Sequence, residues 1–138
     1  MASTEPTTAC VFCRIVAGEI PSRRIHEDAA AIAFLDLEPF KEGHALVVSR
    51  THVPDALSNA DVLASLAPAI TATGNLLIGR LGATGMNILS NVGGVSGQSV
   101  FHLHVHLVPR YDDDPGMRSL MTRVPGADLD AVHARLLG

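Results

Sequence analysis

Three histidines alternate with apolar residues through the segment Phe101-His102-Leu103-His104-Val105-His106-Leu107-Val108-Pro109-Arg110. Side chains alternate faces along a strand, so residues two apart share a face. Read as a strand, the segment puts His102, His104 and His106 on one face, and Leu103, Val105 and Leu107 on the other, where they can enter a core. Consecutive imidazoles then stand about 7 Å apart at their Cα atoms, and the outer pair about 13 Å apart. One metal ion held by all three is therefore strained. Two neighbouring histidines sharing a zinc ion, or three exposed histidines on an edge strand, remain as alternatives. The stretch in front, Asn91-Val92-Gly93-Gly94-Val95-Ser96-Gly97-Gln98-Ser99, supplies glycines that admit a ligand to the backbone, with amide and hydroxyl donors beside them. Phosphoryl chemistry needs a nucleophile, donors for the non-bridging oxygens and a proton source for the leaving group. Imidazole serves in each role near neutral pH.

The 138 residues suffice for one domain with a real core and are too few for two ordinary ones. With 47% apolar and 17% charged residues, a disordered chain is excluded. A net charge of −4, no Trp and a single Tyr (Tyr111) argue against capture of nucleic acid or of an anionic membrane, while leaving room for a local imidazole-lined pocket. The apolar runs are short: the longest, such as 29–35, cannot span a bilayer. The first residues, Met1-Ala2-Ser3-Thr4-Glu5-Pro6, lack a basic segment leading into an apolar one. The expectation is a cytoplasmic protein with no membrane or nucleic-acid partner. In such a compartment Cys10-Val11-Phe12-Cys13 reads as metal-binding or redox rather than as a disulfide framework. A redox pair should follow a strand and open a helix, whereas this one follows a polar tail. Structural zinc is preferred, with a redox pair or two unliganded small side chains as alternatives.

Along the chain, 1–9 reads as a flexible tail and 11–17 as a short helix stopped by Gly18, with Pro21 beyond. Residues 23–28 and 30–36 read as a strand pair around a tight turn. Glu38-Pro39 and Gly43 mark a loop, and 44–49 a buried strand. Segment 55–81 carries apolar residues at helical spacing (Leu63, Leu66, Ile70, Leu77, Leu81), with Asp61 as N-cap. Pro68 within it predicts a kink or a short helix ahead of the main one. Gly82 and Gly85 end it. Residues 86–92 read as a strand, 93–97 as a glycine loop, 99–110 as a last strand broken by Pro109, and 128–137 as a C-terminal helix capped by Asp128. The order implies an α+β domain over 10–111, an antiparallel sheet with one long helix packed on it, followed by an extension over 112–138.

The segment Gly97-Gln98-Ser99-Val100-Phe101-His102-Leu103-His104-Val105-His106-Leu107-Val108 closely resembles the signature of the histidine-triad (HIT) family, His-φ-His-φ-His-φ-φ with φ apolar. The resemblance extends to 10–14, 18–21, 33–39 and 43–50, so it covers roughly 10–111. It is similar to the nucleotide-binding hydrolase branch. It implies the HIT fold: an antiparallel sheet of about five strands, one long helix and a C-terminal helix, pairing into a homodimer with a continuous sheet. By that resemblance His104 is the nucleophile that attacks the α-phosphorus of a purine nucleotide derivative, and water then releases the nucleoside monophosphate. His106 contacts the phosphate or assists the leaving group. Transferase relatives carry Gln there, so His106 implies a hydrolase. His44 is the upstream histidine beside the triad. Asn91, Gln98 and Ser99 bind phosphate, with Ser99 counted among the catalytic residues. Asp36 binds the ribose hydroxyls or is a plain turn carboxylate. Phe12, Ile15 and Phe34 line the base pocket or belong to the core. The bacterial zinc-containing type further implies a structural zinc ion on Cys10, Cys13, His52 and His102, which removes His102 from catalysis. Phosphoramidates and acyl-adenylates are the implied substrates, with dinucleoside polyphosphates as a variant. A nucleotide-binding or interaction protein with vestigial turnover, or a zinc hydrolase with its ion on His102 and His104, are the alternatives. His26 and His133 match no motif and are read as surface. The segment 61–81 is apolar on more than one face (Val62, Leu66, Ile70, Leu76, Ile78), which suits a helix buried on two sides, as in a dimer. Arg118 and Arg123 either reach the partner's pocket or lie on a solvated tail.

Overall fold

Alternation of side chains across the strands decides what each side of the molecule is for. The computed structural model describes residues 9–117 and, near the C-terminus, residues 128, 130, 131 and 134. In chain order the elements are α1 (Val11–Val16), β1 (Arg24–Glu27), β2 (Ala31–Leu35), β3 (Ala45–Ser49), α2 (Ala60–Ser65), α3 (Ala67–Leu81), β4 (Gly85–Leu89), a 3₁₀ turn (Gly94–Ser96) and β5 (His104–Arg110). The strands form one antiparallel sheet in the order β1-β2-β3-β5-β4. On one face Ala31 and Ala33 of β2, Ala45 and Val47 of β3, and Val105 and Leu107 of β5 pack with Leu66, Ala69 and Leu77 from the helical segment. On the other face Ile32, Phe34, Leu46 and Val48 pack under Phe12 and Ile15 of α1. His104 lies opposite Val48 in the β3–β5 register and His106 opposite Leu46. The two histidines thus belong to the α1 side, and the strand between them and the core does both jobs that its sequence pattern assigned.

Several expected boundaries move, each for a visible reason. The last strand begins at His104, not at 99. The backbone of Leu103 is bonded to Val53 (2.7 Å) and Ser49 (3.2 Å), where the chain leaves β3, so His102 lies outside the ladder and only His104 and His106 share a strand face. Strand β4 stops at Leu89 rather than 92, because the Ser90 hydroxyl donates to the His104 carbonyl at 2.6 Å and closes the ladder. Pro109 does not break β5. Thr84 N–H donates to Arg110 O, so Arg110 faces β4 and the Pro109 nitrogen faces the opposite edge, where the β3 register has already ended at Ala45↔Leu107. The cap of α2 is Asn59, whose side chain accepts from Asp61 N and Val62 N, rather than Asp61 itself. Pro68 sits in the first turn of α3, where its missing N–H costs little, and the short-helix alternative holds. Near the C-terminus Ala131 N donates to Asp128 Oδ1 at 3.0 Å, the cap bond expected, and 130, 131 and 134 are helical. His133, Arg118, Arg123 and most of the 1–9 tail lie outside the described residues.

One exclusion needs correcting. Residues Ala60–Leu81, taken through both helices, make 22 residues that are long and apolar enough to cross a membrane by length and composition. Counting unbroken apolar runs misses this, because small residues and Thr separate the large ones. The segment is broken at Leu66 and lays Ala69, Thr73 and Leu77 on the sheet. Its outer side leaves Leu63, Leu76, Ile78 and Leu81 exposed.

Gly43 ties the helix end to the sheet just before His44. Its φ is +84°, and a Cβ there would collide with Leu81 Cδ1 and press on Pro109 Cγ at 3.2 Å. Left-handed strain and overpacking act together at this position. Gly43→Ala is expected to destabilise by about 2 kcal/mol or more, and to lower Tm by about 8 °C at the usual proportion for a chain of this size. Thermal unfolding checks it, and an unchanged Tm would contradict the packing described.

Candidate functional site

Two clusters of ligand-type side chains adjoin at the start of β5, and their hydrogen bonds set them apart chemically. The first gathers Cys10, Cys13, His52 and His102, whose ligand atoms all lie within 4.8 Å of one another. Cys10 Sγ is 3.3 Å from His102 Nδ1, Cys13 Sγ is 3.3 Å from His52 Nδ1, and the two Nδ1 atoms are 3.0 Å apart. Ligands at zinc bond lengths around a tetrahedron stand about 3.3–3.8 Å apart, close to this spacing. His102 Nε2–H donates to the Ser49 carbonyl at 2.6 Å, which leaves the Nδ1 lone pair facing the thiols. A backbone carbonyl that fixes the tautomer of a metal-facing imidazole is the usual outer support of such a site. Cys13 N–H donates to Cys10 Sγ at 3.3 Å, which orients that sulfur in the group. Burial holds the His102 pKa down to about 4, which also keeps the ring neutral and free to ligate. The group can hold a metal ion, and two thiolates with two imidazoles are the donor set of a closed zinc site.

The second cluster is His104, His106, His44 and Asp36. His104 Nδ1–H donates to the carbonyl of His102 at 2.7 Å, so Nε2 carries the lone pair. The ring is 7% exposed, with Phe12 edge-on at 4.9 Å between centroids. Burial lowers its pKa, against a smaller upward pull from that backbone bond and from Asp36. His44 Nδ1 accepts the Phe40 N–H at 3.0 Å. Its proton therefore resides on Nε2, which donates to His106 Nδ1 at 3.0 Å. His106 in turn carries its own proton on Nε2. Burial, then the neighbouring His104 and His44, hold the His106 pKa down to about 4. Asp36 Oδ2 lies 3.6 Å from His44 Nε2, while its Oδ1 accepts from Glu38 N at 2.8 Å. Asp36, His44 and His106 also lie close enough to share a metal ion. Ligation by His44 Nε2 would force a proton onto Nδ1, against the Phe40 N–H. The second cluster is thus built as a hydrogen-bond chain and the first as a ligand set.

The remaining expected residues divide. Phe12, Ile15 and Phe34 are all buried in one core cluster, and Phe12 and Phe34 meet edge to face at 5.9 Å. Gln98 is buried with both ends of its amide engaged: Oε1 accepts from Gly93 N at 2.9 Å, and Nε2 donates to Pro54 O and Val100 O. These bonds make the side chain a support of the glycine loop. Asn91 is half-buried beside Gly97, whose φ of +104° turns the loop back toward it. Ser99 is exposed and lines a shallow depression with Cys10, Val11 and Phe101. His26 is half-buried, 3.2 Å from Asp28 Oδ2. One residue was missed. Phe40, 70% exposed, lies within 5.0 Å of the His44 ring and is stacked at 14° on His106. No pattern marks a lone aromatic in a turn. Only its position four residues before a site histidine would have drawn attention to it.

Comparison with known proteins supplies the remaining findings. A family model described as the HIT domain matches residues 17–113. The chain is 33% identical over 129 residues to an Arabidopsis thaliana protein named adenylylsulfatase HINT3, covering 93% of this chain and 66% of that one. It is 34% identical over 119 residues to Candida albicans adenosine 5′-monophosphoramidase HNT1, covering 79% and 75%. A solved structure described as a Zn-bound histidine triad family protein from Mycobacterium smegmatis superposes with a TM-score of 0.73 at 36% identity, covering 93% of this chain and 95% of that one.

Proposed function

The chain belongs to the HIT domain family, and from that premise we propose that it hydrolyses a nucleoside monophosphate derivative, of phosphoramidate or acyl-adenylate type, at the α-phosphorus through His104. The observation that carries this reading is the pair of opposite tautomers on β5. His104 presents a bare Nε2, and His106, two residues on, presents an Nε2–H. The first is a nucleophile and the second a hydrogen-bond donor to the leaving atom, and burial lowers the pKa of both rings. His104 Nε2 bonds to phosphorus as the bond to the leaving nitrogen or oxygen breaks, and the leaving atom, hydrogen-bonded by His106 Nε2–H, takes its proton from solvent. Water then adds to phosphorus, the Nε2–P bond breaks with its electron pair returning to Nε2, and the proton lost by that water passes to solvent. The His102 carbonyl, bonded to His104 Nδ1–H, stabilises the charge that the ring acquires on attack. Asp36 stands beside this chain, suited to the ribose hydroxyls. Asn91, Ser99 and the glycine loop offer the phosphate donors. The relatives named as an adenylylsulfatase and a monophosphoramidase support an adenosine nucleotide as substrate. His104→Ala is expected to lower kcat on adenosine 5′-phosphoramidate by at least about a thousandfold while nucleotide binding persists. A variant retaining a tenth of the wild-type rate would exclude His104 as nucleophile. An inactive wild type that binds the nucleotide would favour a binding protein instead.

The Cys10, Cys13, His52 and His102 set fits zinc in donor type, spacing and tautomer, and the zinc-bound neighbour supports the assignment. Bound there, the ion cross-links the α1 segment to the sheet. About one zinc per chain is expected in protein never exposed to chelator. Cys10→Ser should lower metal content and Tm together, as measured by elemental analysis and thermal unfolding. A metal-free wild type would overturn the site.

A two-fold pair is the further part of this reading. Leu76, Ile78 and Leu81 of α3 are exposed, Leu76 and Leu81 beside Ile25 of the edge strand β1, and on the opposite edge of the sheet Ile88 of β4 is 58% exposed. Apolar side chains beside an unpaired edge suit a self-complementary contact. Light scattering at micromolar concentration should give twice 14.5 kDa, and a mass of 14.5 kDa would exclude the pair.

A further inference from the structure

Phe12 stands between the two cysteines in sequence and against the His104 ring in space, edge-on at 4.9 Å. The state of the two sulfurs is therefore felt at β5. Their Sγ atoms lie within 4.8 Å of each other, and Cys13 N–H already donates to Cys10 Sγ at 3.3 Å. A disulfide needs about 2.05 Å between sulfurs, which side-chain rotation within a Cys-x-x-Cys turn can supply. The two cysteines are unequally placed. Cys13 is 6% exposed, whereas Cys10 is half-buried and lines the depression that it shares with Val11, Ser99 and Phe101, about 370 Å³ in volume. A water molecule takes about 30 Å³, so a small solute enters with room to spare. Among the described residues no charged side chain lines this depression, which suits an uncharged solute better than an ion.

We propose that Cys10 and Cys13 form an oxidation site for a hydroperoxide, where disulfide formation discharges the metal ion and displaces Phe12 from His104. This rests on the zinc assignment above, and on the hydrolase reading only for its effect on turnover. When bound, the ion keeps both sulfurs as thiolates, the reactive form. Cys10 Sγ attacks one oxygen of hydrogen peroxide: the S–O bond forms, the O–O bond breaks and hydroxide leaves. Cys13 Sγ then attacks Cys10 Sγ: the S–S bond forms, the S–O bond breaks and a second hydroxide leaves. Each hydroxide takes a proton from solvent. Each sulfur has given up one electron, and the peroxide has become two waters. A disulfide offers no thiolate, so only His52 and His102 remain as ligands and the ion is released. The turn from Cys10 to Cys13 tightens, and Phe12 moves with it and opens the dry side of His104. The five strands are paired by their own backbone bonds, and the His102 ring keeps its bond to Ser49 O, so the sheet outlasts the change.

The test treats the full chain, purified with its metal, with a stoichiometric amount of hydrogen peroxide. For each peroxide consumed, one zinc ion is expected to pass to a chelating dye and the mass of one chain to fall by two hydrogens. Dithiothreitol with added zinc should reverse both. Over the same course the His104 Cε1–H proton resonance, assigned by its absence in His104→Ala, should move. Turnover of adenosine 5′-phosphoramidate should fall by about tenfold, the scale of a small misplacement at a reacting group. Circular dichroism should keep the signal of the sheet. In Cys13→Ser the second sulfur is gone, and Cys10 should hold the transferred oxygen in a form trapped by dimedone. Thiols that survive the peroxide with zinc retained overturn the proposal. So does oxidation that leaves the His104 resonance in place, or that unfolds the sheet. If Cys13→Ser does not fold, the mass and metal readouts on the wild type decide. A wild type that holds no zinc but still couples its thiols removes the metal assignment and leaves the oxidation site standing. A wild type inactive before treatment removes the hydrolase reading, and the resonance then decides.

Discussion

The peptide and ring of His102 hold the two halves of the site in register. The ring donates Nε2–H to Ser49 O at the end of β3 and turns Nδ1 toward the two thiols. The carbonyl accepts from His104 Nδ1. One residue thereby fixes the tautomer of its own ring in the ligand set and that of the His104 imidazole, and it manages both because it sits just ahead of the ladder rather than within it. Had the strand begun at residue 99, strand pairing would have competed for this carbonyl and the ring could not have reached Cys10 and Cys13 by the same path. Phe12, carried between those cysteines, packs edge-on against both His102 and His104 and completes the coupling.

Burial is the second physical theme. Four imidazoles are gathered on one side of β3 and β5, and each has its pKa lowered chiefly by desolvation, with mutual repulsion between the rings adding to it at His102 and His106. Such a cluster stays uncharged near neutrality only because every ring has an assigned donor or acceptor, and unassigned polar atoms in this position would be costly. The α1 helix supplies the apolar cover. It is six residues long, capped by the Cys10 side chain and ended by Gly18 at φ +80°, and its apolar side is what turns an open sheet face into a dry one.

Much of this was legible in the chain. The strict alternation from Leu103 to Leu107 fixed which residues enter the core, and Cys10-x-x-Cys13 with two distant histidines could be grouped, by family resemblance, before any coordinates. The glycine before His44 and the split of the long helical segment at Pro68 followed from local stereochemistry. What escaped was non-local. The strand start at His104 depends on Leu103 bonding to Val53 and Ser49, some fifty residues away. The bond of Gln98 to Pro54, forty-four residues away, that anchors the glycine loop is equally invisible to a local pattern. Phe40 and Arg110 belong to no motif, and only the sheet order, which sets β4 beside β5, brings Leu89 and Asn87 to them.

The chain of hydrogen bonds from Phe40 through His44 to His106 begins at a peptide nitrogen. A peptide N–H neither gains nor loses its proton near neutrality, so the chain has a closed end. The chain thereby holds His106 with its Nε2 hydrogen toward the ligand side, and no titration of the anchoring peptide can reverse that orientation.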